Sequence, residues 1–351
     1  MRAKAVAFAV TALFASVASG QTSTPQSVDR VFHFTNTQTP QGFKEVASLI
    51  RTIASIPQGS VDNEQRTLTV HGTADQVALA EWLFTDLDKP ADGQPPAHYS
   101  STQDYRVPGG TDDVARVFYL AHTGTPRGMQ EIVNGIRSIL EIQRIVVCNG
   151  PRAVALRGTA EQVAGAEWLI NGLDRPADAQ PQSQGPAKVE YRLSDARNPA
   201  ARVFYLKHTA TSQGSQEIVN AIRSILEIQR VVALNGPRAL ALRGTTEQVA
   251  AADWLIDGLD KPDGAQVLSP QSQDPAKIDY QLSDARTPAV RVFYLTHTPT
   301  PQGLQEIVNS IRSIAELQRV VACNGPRAVA FRGTPVQVAL AERLIQERDK
   351  P

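Results

Sequence analysis

The sequence predicts an α+β chain of four tandem β-α-β-β-α modules, each with two helices on one face of a three-stranded sheet and with short extra strands in the linkers. Three observations predict it. First, one unit recurs four times without insertion or deletion, at 30–90, 116–176, 202–262 and 291–351. A repeat of this kind sets the architecture before any local reading does. Second, hydrophobic periodicity switches three times within each unit between short apolar runs and helical stripes. Third, Asn-Gly stands between two apolar runs in three of the units, as at Asn235-Gly236, which is a hairpin signal because both residues tolerate positive φ.

In the third unit Val203-Phe204-Tyr205-Leu206 reads as the opening strand. Thr211 then offers a helix N-cap. The other units place Thr-Pro there (Thr39-Pro40, Thr125-Pro126, Thr300-Pro301), and proline suits the first helical position. Met129, Ile132, Val133, Ile136, Ile139 and Leu140 show the apolar stripe of the first helix. Val231 to Leu234 and Ala239 to Leu242 form the hairpin arms, with Pro237 at the turn. Thr245 and Gln248 make a capping box. Val249, Ala252, Leu255, Ile256 and Leu259 form the second stripe, which Pro262 stops. The first unit lacks Asn-Gly-Pro, and its hairpin from Val61 to Thr73 alternates polar with apolar residues, as a sheet covered on one face would.

Residues 1–20 read as a cleaved signal peptide: Arg2 and Lys4, an apolar run from Ala5 to Ala15, then Ala18-Ser19-Gly20. The run is short for a membrane span. A periplasmic or secreted protein is expected, starting at Gln21. The 35 basic and 35 acidic residues balance, which argues against a general polyanion binder. The linkers 91–115, 177–201 and 263–290 begin rich in Pro, Gln and Ser, as flexible spacers do. Their second halves alternate (Val189, Tyr191, Leu193; Ile278, Tyr280, Leu282; Tyr105, Val107), and each predicts a strand that joins either the preceding or the following unit.

Trp82, Trp168 and Trp254 hold one equivalent position in the closing helix, where the fourth unit has Arg343; Arg348 likewise replaces Leu259. A last copy turned polar looks like the cap of an array. The tryptophans are candidates for packing between units, with packing onto their own cores as the alternative. Cys148 and Cys323, at equivalent positions, read as small apolar residues facing the core. His122, His208 and His297 recur one per unit without a second ligand at metal spacing, and read as polar residues at the helix entrance. Glu131, Glu217 and Glu306, with Arg137, Arg223 and Arg312 six residues on, read as a solvated face or an inter-unit contact. No nucleophile-base pair, phosphate-cradling loop or paired carboxylates are present. No catalytic, cofactor or metal site is predicted, and the chain is not expected to be an enzyme.

The helix reading Gln-Glu-Ile-Val-Asn-x-Ile-Arg and the closing Arg-Gly-Thr-x-x-Gln-Val-x-x-Ala-x-x-Leu-Ile-x-x-Leu-Asp-x-Pro resemble the periplasmic N-terminal domains of bacterial secretins, the short or NolW-like module above all. Asp62, Arg66, Thr67, Leu68, Val70, Gly72, Thr73 and Leu87-Asp88-Lys89-Pro90 carry the resemblance in the first unit, and it covers all four. It implies a KH-like fold, ring-building and contacts with secretion or pilus machinery. The secretin pore domain has no counterpart up to Pro351, so the chain is not expected to form a pore by itself. The reading is a non-catalytic exported scaffold or adaptor in a secretion or envelope assembly, with a secretin-type complex or its own copies as partners. The alternative is a periplasmic repeat protein that binds peptide or glycan at sheet edges. A KH-like nucleic-acid binder fits less well, because the units lack the Gly-x-x-Gly loop and a basic stripe.

Overall fold

The computed structural model describes residues 27–89, 100–101, 103–176, 189–262, 277–284, 286–298 and 300–350. The leader expected at 1–20 and the first halves of the linkers lie outside the described residues. The first unit folds as β1 (Ser27–His33), α1 (Pro40–Ile53), β2 (Gln58–Asp62), β3 (Thr67–Thr73) and α2 (Ala74–Leu87). The second has lead-in strands β4 (Ser100–Ser101) and β5 (Tyr105–Arg106), then β6 (Val114–Tyr119), α3 (Pro126–Leu140), β7 (Arg144–Cys148), β8 (Ala153–Gly158) and α4 (Ala160–Leu173). The third comprises β9 (Val189–Arg192), β10 (Ala200–Tyr205), α5 (Ser212–Leu226), β11 (Arg230–Leu234), β12 (Ala239–Gly244) and α6 (Thr246–Leu259). The fourth comprises β13 (Lys277–Gln281), β14 (Ala289–Tyr294), α7 (Pro301–Ile314), β15 (Arg319–Cys323), β16 (Ala328–Gly333) and α8 (Pro335–Arg348).

All four sheets are antiparallel, and the hairpin's second strand is central in each three-stranded core, as in β1-β3-β2. The lead-in strands settle the alternative left open by the sequence. They join the following sheet: β5 pairs with β6, β9 with β10 and β13 with β14.

The helix signals act as the sequence suggests. Thr39, Thr125, Thr211 and Thr300 cap the opening helices, each accepting a hydrogen bond from the glycine amide three residues on. Thr73, Thr159, Thr245 and Thr334 make reciprocal capping boxes with Gln76, Gln162, Gln248 and Gln337. Each of these glutamines also donates its side-chain amide to a carbonyl at the end of the unit's opening helix, such as Leu140 at 3.0 Å and Leu226 at 3.1 Å. One residue thereby satisfies orphan groups at two helix ends.

The hairpin turn corrects the sequence reading. The loops hold four residues, 63–66, 149–152, 235–238 and 324–327, and positive φ falls on Arg66, Arg152, Arg238 and Arg327 rather than on the Asn-Gly pair. The first unit builds the same loop without Asn-Gly-Pro, because Asp62 Oδ1 accepts from the amides of Glu64 and Gln65. A carboxylate that bonds the backbone two residues on supports a turn by itself.

The units stack with alternating sheet and helix layers. α1 packs on β7 of the next sheet, α3 on β11 and α5 on β15. Among the described residues, three cores consequently run through from one unit into the next, while the fourth, under α7 and α8, comprises fourth-unit residues alone.

Candidate interaction interfaces

The junctions between units repeat one set of contacts. On the opening helix, Glu45 accepts from the main-chain and side-chain nitrogens of Asn149 in the next hairpin loop, at 2.8 and 3.1 Å. Glu131 does the same for Asn235 (2.9 and 3.3 Å) and Glu217 for Asn324 (both 2.7 Å). Burial alone would raise the Glu45 carboxyl, but hydrogen bonds from Asn149, Gln41 and Gly150 outweigh it and hold it below the usual range. The Asn-Gly loop therefore presents donors to a neighbour's carboxylate as well as closing a hairpin.

In a second contact an arginine of the following unit reaches back to the end of the same helix. Arg243 and Arg332, about 6% exposed, each donate to a carbonyl in the last turn of the preceding opening helix, Ile139 and Ile225, both at 3.1 Å. Arg157 reaches Ile53 at 3.4 Å. A cation there meets both the orphan carbonyls and the negative helix end. Asp195 and Asp284 complete two of these sites at 2.7 and 2.5 Å. The first unit has His71 in place of this arginine.

The third contact is a tyrosine at the end of the opening strand in the second, third and fourth units. Tyr119, Tyr205 and Tyr294 donate to the main-chain carbonyls of Asp86, Gly172 and Gly258 in the preceding closing helix. Burial raises all three phenols, Tyr294 to about 12.

The tryptophans are half-buried and lie against the lead-in strands. Their ring centroids are 5.4 Å (Trp82–Tyr105) and 5.3 Å (Trp168–Tyr191, Trp254–Tyr280) apart. Each lead-in tyrosine belongs to the sheet of the next unit. Cys148 and Cys323 are free and buried, but they face the preceding unit's helices rather than their own core. Leu234, their counterpart in the third unit, does likewise. Burial pushes the Cys148 thiol up to about 12 and raises that of Cys323 as well, so neither carries the thiolate that chemistry needs.

Arg137, Arg223 and Arg312 leave their glutamates and donate to strand carbonyls of their own units, Ile145, Val231 and Val320, at 2.7, 2.8 and 3.0 Å. The side chains of His122, His208 and His297 are exposed. The main-chain amides around them are gathered by one aspartate per unit. Asp174 accepts from Ala121, His122 and Thr123 at 2.6, 3.1 and 2.7 Å. Asp88, Asp260 and Asp349 hold the corresponding loops. For Asp88 and Asp349 burial would raise the carboxyl, but the backbone and hydroxyl donors prevail and lower it. Sequence reading missed this staple, although an aspartate recurs at that position in all four units.

Among the described residues, no three His, Cys, Asp or Glu side chains come together as a metal set, and no helix is long and apolar enough to cross a membrane. A cavity of about 110 Å³ lies at the third junction, beside His208, Glu217 and Cys323. It is well below the ~300–1,000 Å³ of ordinary small-molecule pockets.

No family model and no curated protein matches the chain. Among solved structures it is similar to the N-terminal domain of the secretin XcpQ from Pseudomonas aeruginosa, at 13% identity and a TM-score of 0.19, over 43% of this chain and 63% of that one. It is also similar to ExeD of Aeromonas hydrophila, at 13% identity and a TM-score of 0.16, over 88% of this chain and 60% of that one. A third is the XcpQ fragment N012, at 14% identity and a TM-score of 0.21, over 63% and 93%. The chain thus spans less than two thirds of the first of these, and superpositions of this size do not bear on function.

Proposed function

We propose that the chain is a non-catalytic scaffold or adaptor that presents rigid surfaces to protein partners in a secretion or envelope assembly of the periplasm. The observation that carries this reading is how the recurring polar side chains are used. Glu45, Glu131 and Glu217, the buried arginines Arg243 and Arg332, the strand-end tyrosines and the stapling aspartates all hold loops, helix ends and neighbouring units. Sheets clamped between two helical layers make a stiff stack, which suits a spacer or platform better than a site that must close on a substrate. The secretion and envelope setting rests on the secretin-like motifs in the sequence and on the leader-like residues 1–20.

The tandem modules are taken to be 30–90, 116–176, 202–262 and 291–351. The alternative occupant is a peptide or glycan at a sheet edge. Arg137, Arg223 and Arg312 disfavour strand addition, since their guanidinium groups already occupy carbonyls of β7, β11 and β15.

The test is to cross-link the tagged mature chain in intact cells and, separately, to sediment it with isolated peptidoglycan. Discrete cross-links to envelope proteins, with no sedimentation, are expected. Saturable sedimentation with peptidoglycan and no protein cross-link would overturn the scaffold reading in favour of glycan binding.

A further inference from the structure

We infer that the two end faces of the stack are complementary and that the chain associates head to tail with a second copy of itself. The outer face of the β1-β3-β2 sheet would seat the outer face of α7 and α8 of another molecule. Among the described residues, no element covers either face.

Two independent observations carry this. The first is apolar. Among the described residues, Val31 and Ile314 are two of the few large hydrophobic side chains that stand exposed, at 49% and 51%. They occupy the positions that every internal junction buries completely. Val117, Val203 and Val292 are 0% exposed, and so are Ile53, Ile139 and Ile225. Each end has kept one of the two apolar contact residues of a junction.

The second is charge, read through the internal register. At the second junction, Leu173 and Leu234 both lie beside Gly135, whose added Cβ would be 4.0 and 3.4 Å from them. At the ends these two positions are Arg348 and Asp62, which are opposite charges. Gly172 lies over Val203 and Tyr205, and its end-face counterpart Glu347 would lie over Val31 and His33. Glu306 stands where Glu217 holds Asn324, and Asn63 stands where that asparagine does. Two leucines beside one inner helix position are thus replaced at the ends by groups of opposite charge. That substitution suits a surface that must stay wet in the monomer yet still recognise its mate. Glu64 opposes it, replacing the loop glycine beside the Glu306 position, and Thr67 and Thr69 stand where the inner junctions have alanine, so the contact should be reversible and weak.

A heterologous contact of this kind closes into a ring or runs on as a filament, according to the rotation per step. The inference deepens the scaffold reading by naming the chain itself as a partner. It does not need the secretion setting, so its failure would leave binding to other envelope proteins untouched.

The test is sedimentation velocity of the mature chain, residues 21–351, over a concentration series at low and high salt. Reversible association that weakens with salt is expected. R348E alone and D62K alone should each weaken it by about tenfold or more, and mixing the two variants should restore it, because the tail of one then meets the reversed head of the other. D62N keeps the oxygen that closes the turn, so it serves if the lysine variant misfolds; it should weaken association without unfolding the hairpin. E64G should strengthen association. A monomer at every concentration, or association indifferent to these variants, overturns the proposal.

Discussion

Ile225 and Ile314 are the same residue at the same helical position and differ in what covers them. Ile225 lies in the core shared with the fourth sheet and is 0% exposed, whereas Ile314 is 51% exposed. Truncating a fully buried isoleucine to alanine costs about 2–5 kcal/mol, the transfer of its methyl and methylene groups plus the cavity left behind. An isoleucine half in water has little of either to lose, and surface changes usually stay within about 0.5 kcal/mol. I225A should therefore lower the urea midpoint clearly, with I139A and I53A close to it, while I314A stays near the parent chain. The measurement is equilibrium unfolding in urea followed by circular dichroism, at concentrations low enough to keep the chain monomeric. Neighbour coupling in arrays of this type broadens or splits a transition once one junction is weakened, so the curve shape is a second readout. If I314A destabilised as much as I225A, the helices would owe their stability to their own units alone, and the shared-core account would fail.

Three further outcomes follow from the junctions and loops. W168R should uncouple the second and third units, since it removes a ring whose centroid lies 5.3 Å from that of Tyr191 of the next sheet; unchanged cooperativity of thermal unfolding would count against it. Native Cys148 and Cys323 should resist thiol reagents at pH 8 and react at once in denaturant, as titration with a chromogenic disulfide would show; fast labelling of the native chain would refute their burial. Asp88 and Asp349 have folded-state pKa values below their unfolded ones, so their contribution is present above about pH 4 and is lost as pH falls through the depressed values. D88N should then flatten the acid limb of the stability profile, and an unchanged limb would exclude the staple as its source.

Much of the fold was legible because it rests on local signals. The caps, the capping boxes and the helix stripes involve residues within a few positions of one another, and the structure places each where the periodicity put it. The junctions were less legible, because their partners lie far apart in the chain: Glu131 and Asn235 are separated by 104 residues. The recurrence of Glu and Asn in each unit was visible, but that one unit's glutamate serves the next unit's loop was not. The position of the positive φ was misread for a physical reason. In a two-residue turn Asn-Gly takes the left-handed conformation, but a four-residue loop moves that demand to its last residue, and here each unit accepts an arginine there.

The hairpins show how stacking is written into composition. A sheet covered on one face alternates apolar with polar residues, and the central strand of the first unit does so as Thr67-Leu68-Thr69-Val70. The corresponding strands of the other units alternate small with large: Ala153-Val154-Ala155-Leu156, Ala239-Leu240-Ala241-Leu242 and Ala328-Val329-Ala330-Phe331. The large residues fill their own unit's core, while the alanines face the helices of the unit before. A methyl group on that face lets a helix approach closely while keeping water out, which a threonine hydroxyl would not. The change from Thr-Leu-Thr to Ala-Val-Ala thus marks where a sheet gains a second covering layer. By the same logic, an alanine pair placed at Thr67 and Thr69 would make the outer face of the first sheet resemble an inner one, and would strengthen its hold on any helical layer laid against it.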